Sequence, residues 1–310
     1  MNTRKAVAPI VAVMALVPTL CVAAPILSSD LASFAVLGAS TVTNVPTSTV
    51  VGNVGVSPGS SITGFNSSPG VAVLDPQVTG GLVHTTTAIA GQAQFDLTIA
   101  RADLGLLGPG TLLSSDLVGL IIFPGVYTVP AGTSNLTGAV TLDGQGNANA
   151  AWVFQFPSTL KTSPGSVVNV LNTGAGAGIY WNVGTSATLD TTTSFEGNIL
   201  ALASITLNTH ATIGCGRALA DTAAVTMDMN TIGTGCAANT GGEGSNGFSG
   251  GLTVASGTTP QTPTFLPFAR AGGGGGTTVP EPATLSLLAV AMAGLGLSRR
   301  RNFSSRRSAG

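Results

Sequence analysis

The sequence predicts an all-β solenoid, an irregular and discontinuous β-helix with one long α-helix packed alongside. Three observations predict it. Of 310 residues, 44% are hydrophobic and only 7% charged, with 43 glycines and 17 prolines, a composition that favours short strands and turns over a helical bundle. A T-[LM]-x frame recurs in Val140-Thr141-Leu142-Asp143, Thr159-Leu160-Lys161-Thr162, Thr188-Leu189-Asp190-Thr191, Thr206-Leu207-Asn208-Thr209 and Thr226-Met227-Asp228-Met229, at intervals of 18, 29, 18 and 20 residues. One segment alone departs from strand periodicity and repeats every three to four residues.

A unit of 18 to 20 residues with alternating apolar positions cannot bury its own apolar side, so neighbouring units must stack. Alternation sends Leu142, Leu160, Leu189, Leu207 and Met227 to one side and the threonine before each to the other. The expectation is an aliphatic ladder inside and a threonine ladder outside. A β-sandwich also fits short, evenly spaced strands, but it leaves the recurring frame without a cause.

The elements follow in order. Residues 1–24 have a basic start at Arg4 and Lys5, an apolar run from Ala6 to Leu20 and small residues at Ala23 and Ala24, the layout of a secretory signal peptide cut near Ala23 or Ala24. The solenoid is placed at 25–237. Within it Ile89, Ala93, Leu97, Ala100 and Leu104 recur at helical spacing, and Gly108-Pro109-Gly110 stops them, which predicts a helix over about 86–107 covering one apolar flank. Cys215 and Cys236 lie 21 residues apart, close to one repeat, and in an exported chain that spacing predicts a disulfide between neighbouring rungs. Residues 238–278, rich in Gly, Ser, Thr and Pro, read as a flexible linker. After them come Val279-Pro280-Glu281-Pro282, the apolar run 283–297 and Arg299-Arg300-Arg301. Those 15 apolar residues reach about 22 Å as a helix, short of a hydrocarbon core, so they predict transient membrane contact.

Charge narrows the partners. Residues 25–278 carry four basic against eleven acidic side chains, whereas the two ends carry seven basic against one acidic. A nucleic-acid footprint would lie on the folded body, so no nucleic-acid partner is expected. The chemistry expected of an enzyme is also missing. Gly55-Val56-Ser57-Pro58-Gly59 matches the nucleophile-elbow pattern, but Pro58 has no N–H for an oxyanion hole. His84 and His210 have no evident third partner and read as solvated surface residues. No metal site and no cofactor are expected.

Seven ordered motifs resemble the microbial ice-binding-protein-like domain over about residues 27–235: Ser33-Phe34-Ala35-Val36-Leu37-Gly38, Ser40-Thr41-Val42-Thr43-Asn44, Gly55-Val56-Ser57-Pro58-Gly59, Phe123-Pro124-Gly125-Val126-Tyr127, Leu142-Asp143-Gly144-Gln145-Gly146, Ala151-Trp152-Val153-Phe154-Gln155 and Gly197-Asn198-Ile199-Leu200-Ala201-Leu202. The tail at 279–310 resembles a PEP-CTERM sorting signal, with Pro280, Glu281 and Pro282 as its motif and Arg299, Arg300 and Arg301 as its basic end. The two resemblances imply a non-enzymatic protein of a Gram-negative bacterium, handled by an exosortase and placed at the cell surface or outside the cell. They also imply a flat face that adsorbs to ice or another hydrated surface. The family's T-[AG]-x-[TN] motif falls on Thr191 to Ser194, on Thr209 to Thr212 and more loosely on Thr162 to Gly165, which makes Thr162, Thr191, Thr193, Ser194, Thr209 and Thr212 the candidate ice contacts. His210 stands where the motif has a small residue. A structural or adhesive matrix protein on the same scaffold is the alternative expectation.

Overall fold

In the computed structural model, which describes residues 23–236, 245–255 and 257–271, the alternating β-branched runs form short strands paired mostly in parallel. The body is mostly β with two helices and three sheets, none of them closed. One sheet has six parallel strands in the spatial order Leu160–Lys161, Ala187–Leu189, Ile205–Leu207, Val225–Asp228, Thr41–Val45, Ser61–Thr63. A sixteen-stranded sheet branches. Its main path joins Ala151–Phe156, Gly178–Val183, Ser194–Ala201, Thr212–Ala220, Phe34–Gly38 and Asn53–Val56, all parallel. In both sheets the N-terminal strands therefore continue a ladder that the C-terminal strands begin.

That order needs a return segment, and a long helix supplies it. Helix α1 is the single turn Ser29–Ala32, and α2 is Ala88–Leu106. Thr87 caps α2 by accepting the Ala90 N–H at 3.3 Å, which satisfies one of the orphan donors of the first turn. Its 19 residues span about 28 Å, roughly six ladder spacings of about 4.8 Å. The helix runs from the strand Val83–Thr85 to the strand Thr111–Leu112, the far end of the main path. Ala90, Ala93, Leu97, Ala100 and Leu104 are buried against Phe34, Leu37, Val153, Tyr180, Leu200 and Leu219. Ile89, expected on that stripe, is only half-buried. Polar contacts fix the helix's position: Gln94 donates to the carbonyls of Ala220 and Asp221 at 3.0 and 2.6 Å, and Arg101 pairs with Asp221 at 2.9 Å.

The larger core lies between the sheets. Leu142, Leu160, Leu189, Leu207 and Met227 are all buried there, on the inner side that alternation assigns them. Aromatic rings from successive strands stack through it, Phe154 on Trp181 at 4.1 Å and 11°, and Trp181 beside Phe195 at 4.8 Å. The first pair is stacked and the second tilted by 47°, and such ring contacts add to area burial.

The structure revises three expectations. The frame does not stack in one column: Lys161, not Thr159, lies opposite Thr188, and Thr141 belongs to the other sheet, opposite Asn169. The shift is two residues, so Leu160 stays inward and Thr162 with it, where its hydroxyl finds internal partners. The linker boundary also moves. Residues 245–255 and 257–271 pack on the body, with Phe248 and Leu252 buried and Leu252–Ala255 paired antiparallel with Ala23–Pro25 and Thr264–Phe265. Asn198 and Tyr180 donate to the Phe248 and Ser249 carbonyls at 2.9 and 2.7 Å, so backbone bonding and two apolar anchors outweigh the Gly-rich composition. His84, read as a surface residue, is buried in the strand Val83–Thr85, edge-on to Phe34 at 5.3 Å. The leader up to residue 22 and the tail from 272 lie outside the described residues.

Candidate functional site

The outer side of the six-stranded sheet is built by strict alternation. Ala187, Ile205, Val225, Val42 and Ile62 share one inner position and are buried. The next residue in each strand points out: Thr188, Thr206, Thr226, Thr43 and Thr63 lie side by side in register. Parallel pairing spaces them at about 4.8 Å. Lys161 ends the row beyond Thr188. Among the described residues the hydroxyls of these five threonines have no partner in the protein, so water takes their donors and acceptors. A second outward row begins with Ser186 and Ser204, whose hydroxyls bond each other at 3.0 Å.

The corner beyond this sheet separates the six sequence-predicted contacts. The chain turns through the left-handed region at Gly165, Thr192, His210 and Met229, with φ of 69°, 57°, 61° and 50°, and successive turns bond to the next strand, Thr192 N–H to Thr209 O at 3.1 Å and His210 N–H to Asp228 O at 3.1 Å. Thr191 and Thr209 precede this turn, and Ser194 and Thr212 follow it in the larger sheet, where they pair with each other. Thr193, the residue between, points into the core. It is fully buried, as is Thr162, and their hydroxyls bond at 2.8 Å while Thr162 accepts the Asp190 N–H at 2.9 Å. Thr162 and Thr193 therefore face no solvent: Thr162 shares the inner side with Leu160 before the turn, and Thr193 points inward just after it. Thr209 donates to Asp228. His210 occupies an exposed left-handed position, where histidine is tolerated better than a β-branched residue.

Charge near the row is held by neutral donors. Asn208 donates to Asp190 at 2.9 Å and the Thr191 N–H does so at 2.8 Å, and these bonds hold the Asp190 carboxyl below its ordinary range. Across the corner the setting differs. Glu196 is 7% exposed, and burial, opposed by the Cys215 N–H it accepts, pushes its carboxyl up to about 8. Cys215 and Cys236 are joined as a disulfide with Cα atoms 4.8 Å apart, the separation of neighbouring ladder strands. Ser57 follows the strand Asn53–Val56 and precedes the strand Ser61–Thr63, without the helix a nucleophile elbow requires. Sequence reasoning missed Thr43 and Thr63, although each follows a β-branched residue as Thr206 and Thr226 do.

A mostly parallel β body whose outer threonine row has no bonded hydroxyl among the described residues, with a helix packed against the larger sheet, matches a known class. Residues 36–233 match the Ice-binding-like family, and residues 278–301 match the PEP-CTERM protein-sorting motif. The chain belongs to the Ice-binding-like family. It is 45% identical over 205 residues to an ice-binding protein of Nostoc sp. (strain HG1), covering 66% of this chain and 72% of that one. An ice-binding protein of Flammulina populicola is 33% identical over 222 residues, with 67% and 88% covered. Among solved structures, an ice-binding protein from an Antarctic biological consortium superimposes with TM-score 0.55 at 36% identity, covering 67% of this chain and 90% of that one. One from the Antarctic ascomycete Antarctomyces psychrotrophicus gives 0.58 at 34% identity, with 66% and 95% covered.

Proposed function

We propose that this chain is an exported, non-enzymatic ice-binding protein that adsorbs through the outer side of its six-stranded sheet. The six-stranded sheet and the branching larger sheet are read as the sides of an irregular β-solenoid, with α2 alongside the main path. The observation that carries the reading is the in-register row Thr43, Thr63, Thr188, Thr206 and Thr226, whose hydroxyls have no partner among the described residues. A flat row of methyl and hydroxyl groups at ladder spacing holds a first water layer in fixed positions without drawing it around a charge, and such a layer merges with ice. Thr191 and Thr209 border that row at the corner, whereas Ser194 and Thr212 face away from it on the larger sheet. Family membership and the named relatives support ice as the surface.

The sorting motif supports export and handling by an exosortase. Its Pro280, Glu281 and Pro282 form the recognition element, residues 283–297 make transient contact with the inner membrane, and Arg299, Arg300 and Arg301 hold the end at the anionic leaflet. The mature body then sits at the cell surface or outside the cell. The test is thermal hysteresis and ice-recrystallisation inhibition by the purified chain. Depression of the freezing point below the melting point supports the proposal, and none at millimolar protein would leave adhesion to another surface as the function.

A further inference from the structure

A small cavity lies where the first described strand meets α2. Ala23–Pro25 pairs antiparallel with Leu252–Ala255, Ala24 opposite Val254, and beside this pair a cavity of about 170 Å³ is lined by Ala24, Pro25, Ser28, Asp96, Ile99 and Asp103, among others. The three helical residues follow at i, i+3 and i+7, so α2 turns one side to the cavity. Its two acids are bonded differently. Asp96 is half-buried and both its oxygens are used, accepting from the Ser28 hydroxyl at 2.5 Å and the Gln92 amide at 2.8 Å. Asp103 is 3% exposed, and its Oδ1 accepts the Gln261 N–H at 2.5 Å. Its Oδ2 has no donor among the described residues and, unlike Glu196 Oε2, is not sealed from solvent. No basic side chain answers this carboxyl. Arg101, the only basic residue of α2, turns to Asp221, and neither 23–29 nor 252–263 carries a charged side chain.

We infer that this cavity receives the α-ammonium of the mature chain, which pairs with Asp103 once the leader is removed. The inference rests on the reading of the chain as exported and adds that removal of the leader completes a buried ion pair. While the leader is attached, the nitrogen of Ala24 or Pro25 is a neutral amide. A signal peptidase adds water across the bond after Ala23 or Ala24: the leader leaves with the new carboxylate, and the body keeps an amine that takes up a proton at neutral pH. Either cut puts that amine on a residue lining the cavity. Reach also fits. Ser28 bonds Asp96, and the three or four residues back to Pro25 or Ala24 span up to roughly 10–14 Å, whereas Asp103 lies two helical turns, about 10.5 Å, beyond Asp96. A buried carboxylate gains more from a charged donor than from a neutral one. Burial, only partly opposed by the Gln261 N–H, raises the Asp103 carboxyl above its ordinary range, the state expected of a site whose cation is still to be made.

The test exports the full chain through its own leader and reads its first residue by mass spectrometry. A start at Ala24 or Pro25 is expected; any other start overturns the inference together with the assigned cut. Lys161 is the only lysine beyond the leader, so isotope-labelled reductive methylation, which keeps the charge, gives one α-amine NMR signal beside one lysine signal. The α-amine should titrate at least about one pH unit higher in the folded chain than in denaturing urea, where it takes its ordinary value near 7.7–8.0. Asp103→Asn should bring the folded value back to that range, and Asp143→Asn on the larger sheet should leave it raised. Equal titration in folded and unfolded parent, with the start confirmed, would overturn the pairing and leave export standing, and this result needs no variant. A raised value that survives in folded Asp103→Asn would overturn it as well.

Discussion

Replacing Glu196 by glutamine should change how stability depends on pH more than it changes stability at any one pH. The carboxyl is 7% exposed and its pKa rises from 4.5 to about 8 through burial. Below pH 4.5 both the folded and the unfolded chain hold this proton, and the burial is tolerated in full. Between about 4.5 and about 8 the folded chain keeps a proton the unfolded chain has released, so each pH unit removes about 1.4 kcal/mol of stability. Over the whole window the loss is on the order of 5 kcal/mol, a large share of a typical domain's 5–15. Glutamine keeps the acceptor for the Cys215 N–H and cannot ionise. Urea unfolding of parent and Glu196→Gln from pH 4 to 9 reads the difference directly. The variant should be no more stable than the parent at pH 4 and clearly more stable at pH 9. Burial lowers the His84 pKa, an effect that favours folding as pH rises, but it is common to both proteins and cancels in the comparison. A constant offset between the two curves across this range would refute the reasoning.

Three further outcomes are expected. Leu97→Ala, at a fully buried position between α2 and the main ladder, should cost about 2–5 kcal/mol in denaturant unfolding and loosen the helix first, seen as faster amide exchange along Ala93 to Leu104. Breaking the 21-residue Cys215–Cys236 link by Cys236→Ser should lower stability by about 3 kcal/mol, and reductant should then have no further effect on the melting temperature. Arg217 is fully buried and donates to the Ala32, Asn246 and Gly247 carbonyls and the Asn198 and Asn246 side chains. Arg217→Met orphans those acceptors and should cost more than about 3 kcal/mol, with limited proteolysis opening first near Asn246.

The helix was legible because Ala93, Leu97, Ala100 and Leu104 repeat at one spacing and face one ladder. So was the inner column Leu189, Leu207 and Met227, where chain order and spatial order agree. Thr43 and Thr63 escaped the frame because Asn44 and Gly64 follow them instead of leucine, and because their strands join the ladder after Val225–Asp228. The feature shared by the whole row is an apolar residue before the threonine, as in Val42, Ile62, Ala187, Ile205 and Val225. Thr162 and Thr193 looked like surface residues because the resemblance to the T-[AG]-x-[TN] motif, not alternation, put them outside; Thr162 lies two residues past the inward Leu160, on the same inner side. Phe248 and Leu252 were hidden by surrounding glycines. Glu196 lies at a register shift, and no pattern of residue types announces where a ladder opens.

The threonine row is tested most directly by thermal hysteresis of Thr206→Tyr beside Thr231→Tyr, two exchanges for tyrosine on the outer sides of different sheets. Thr206→Tyr, at the second of the five row positions, should lose most of the parent's hysteresis while its melting temperature stays close to the parent's, and Thr231→Tyr should keep nearly all of it. Full activity in Thr206→Tyr with loss in Thr231→Tyr would contradict the account and move the ice contact to the larger sheet.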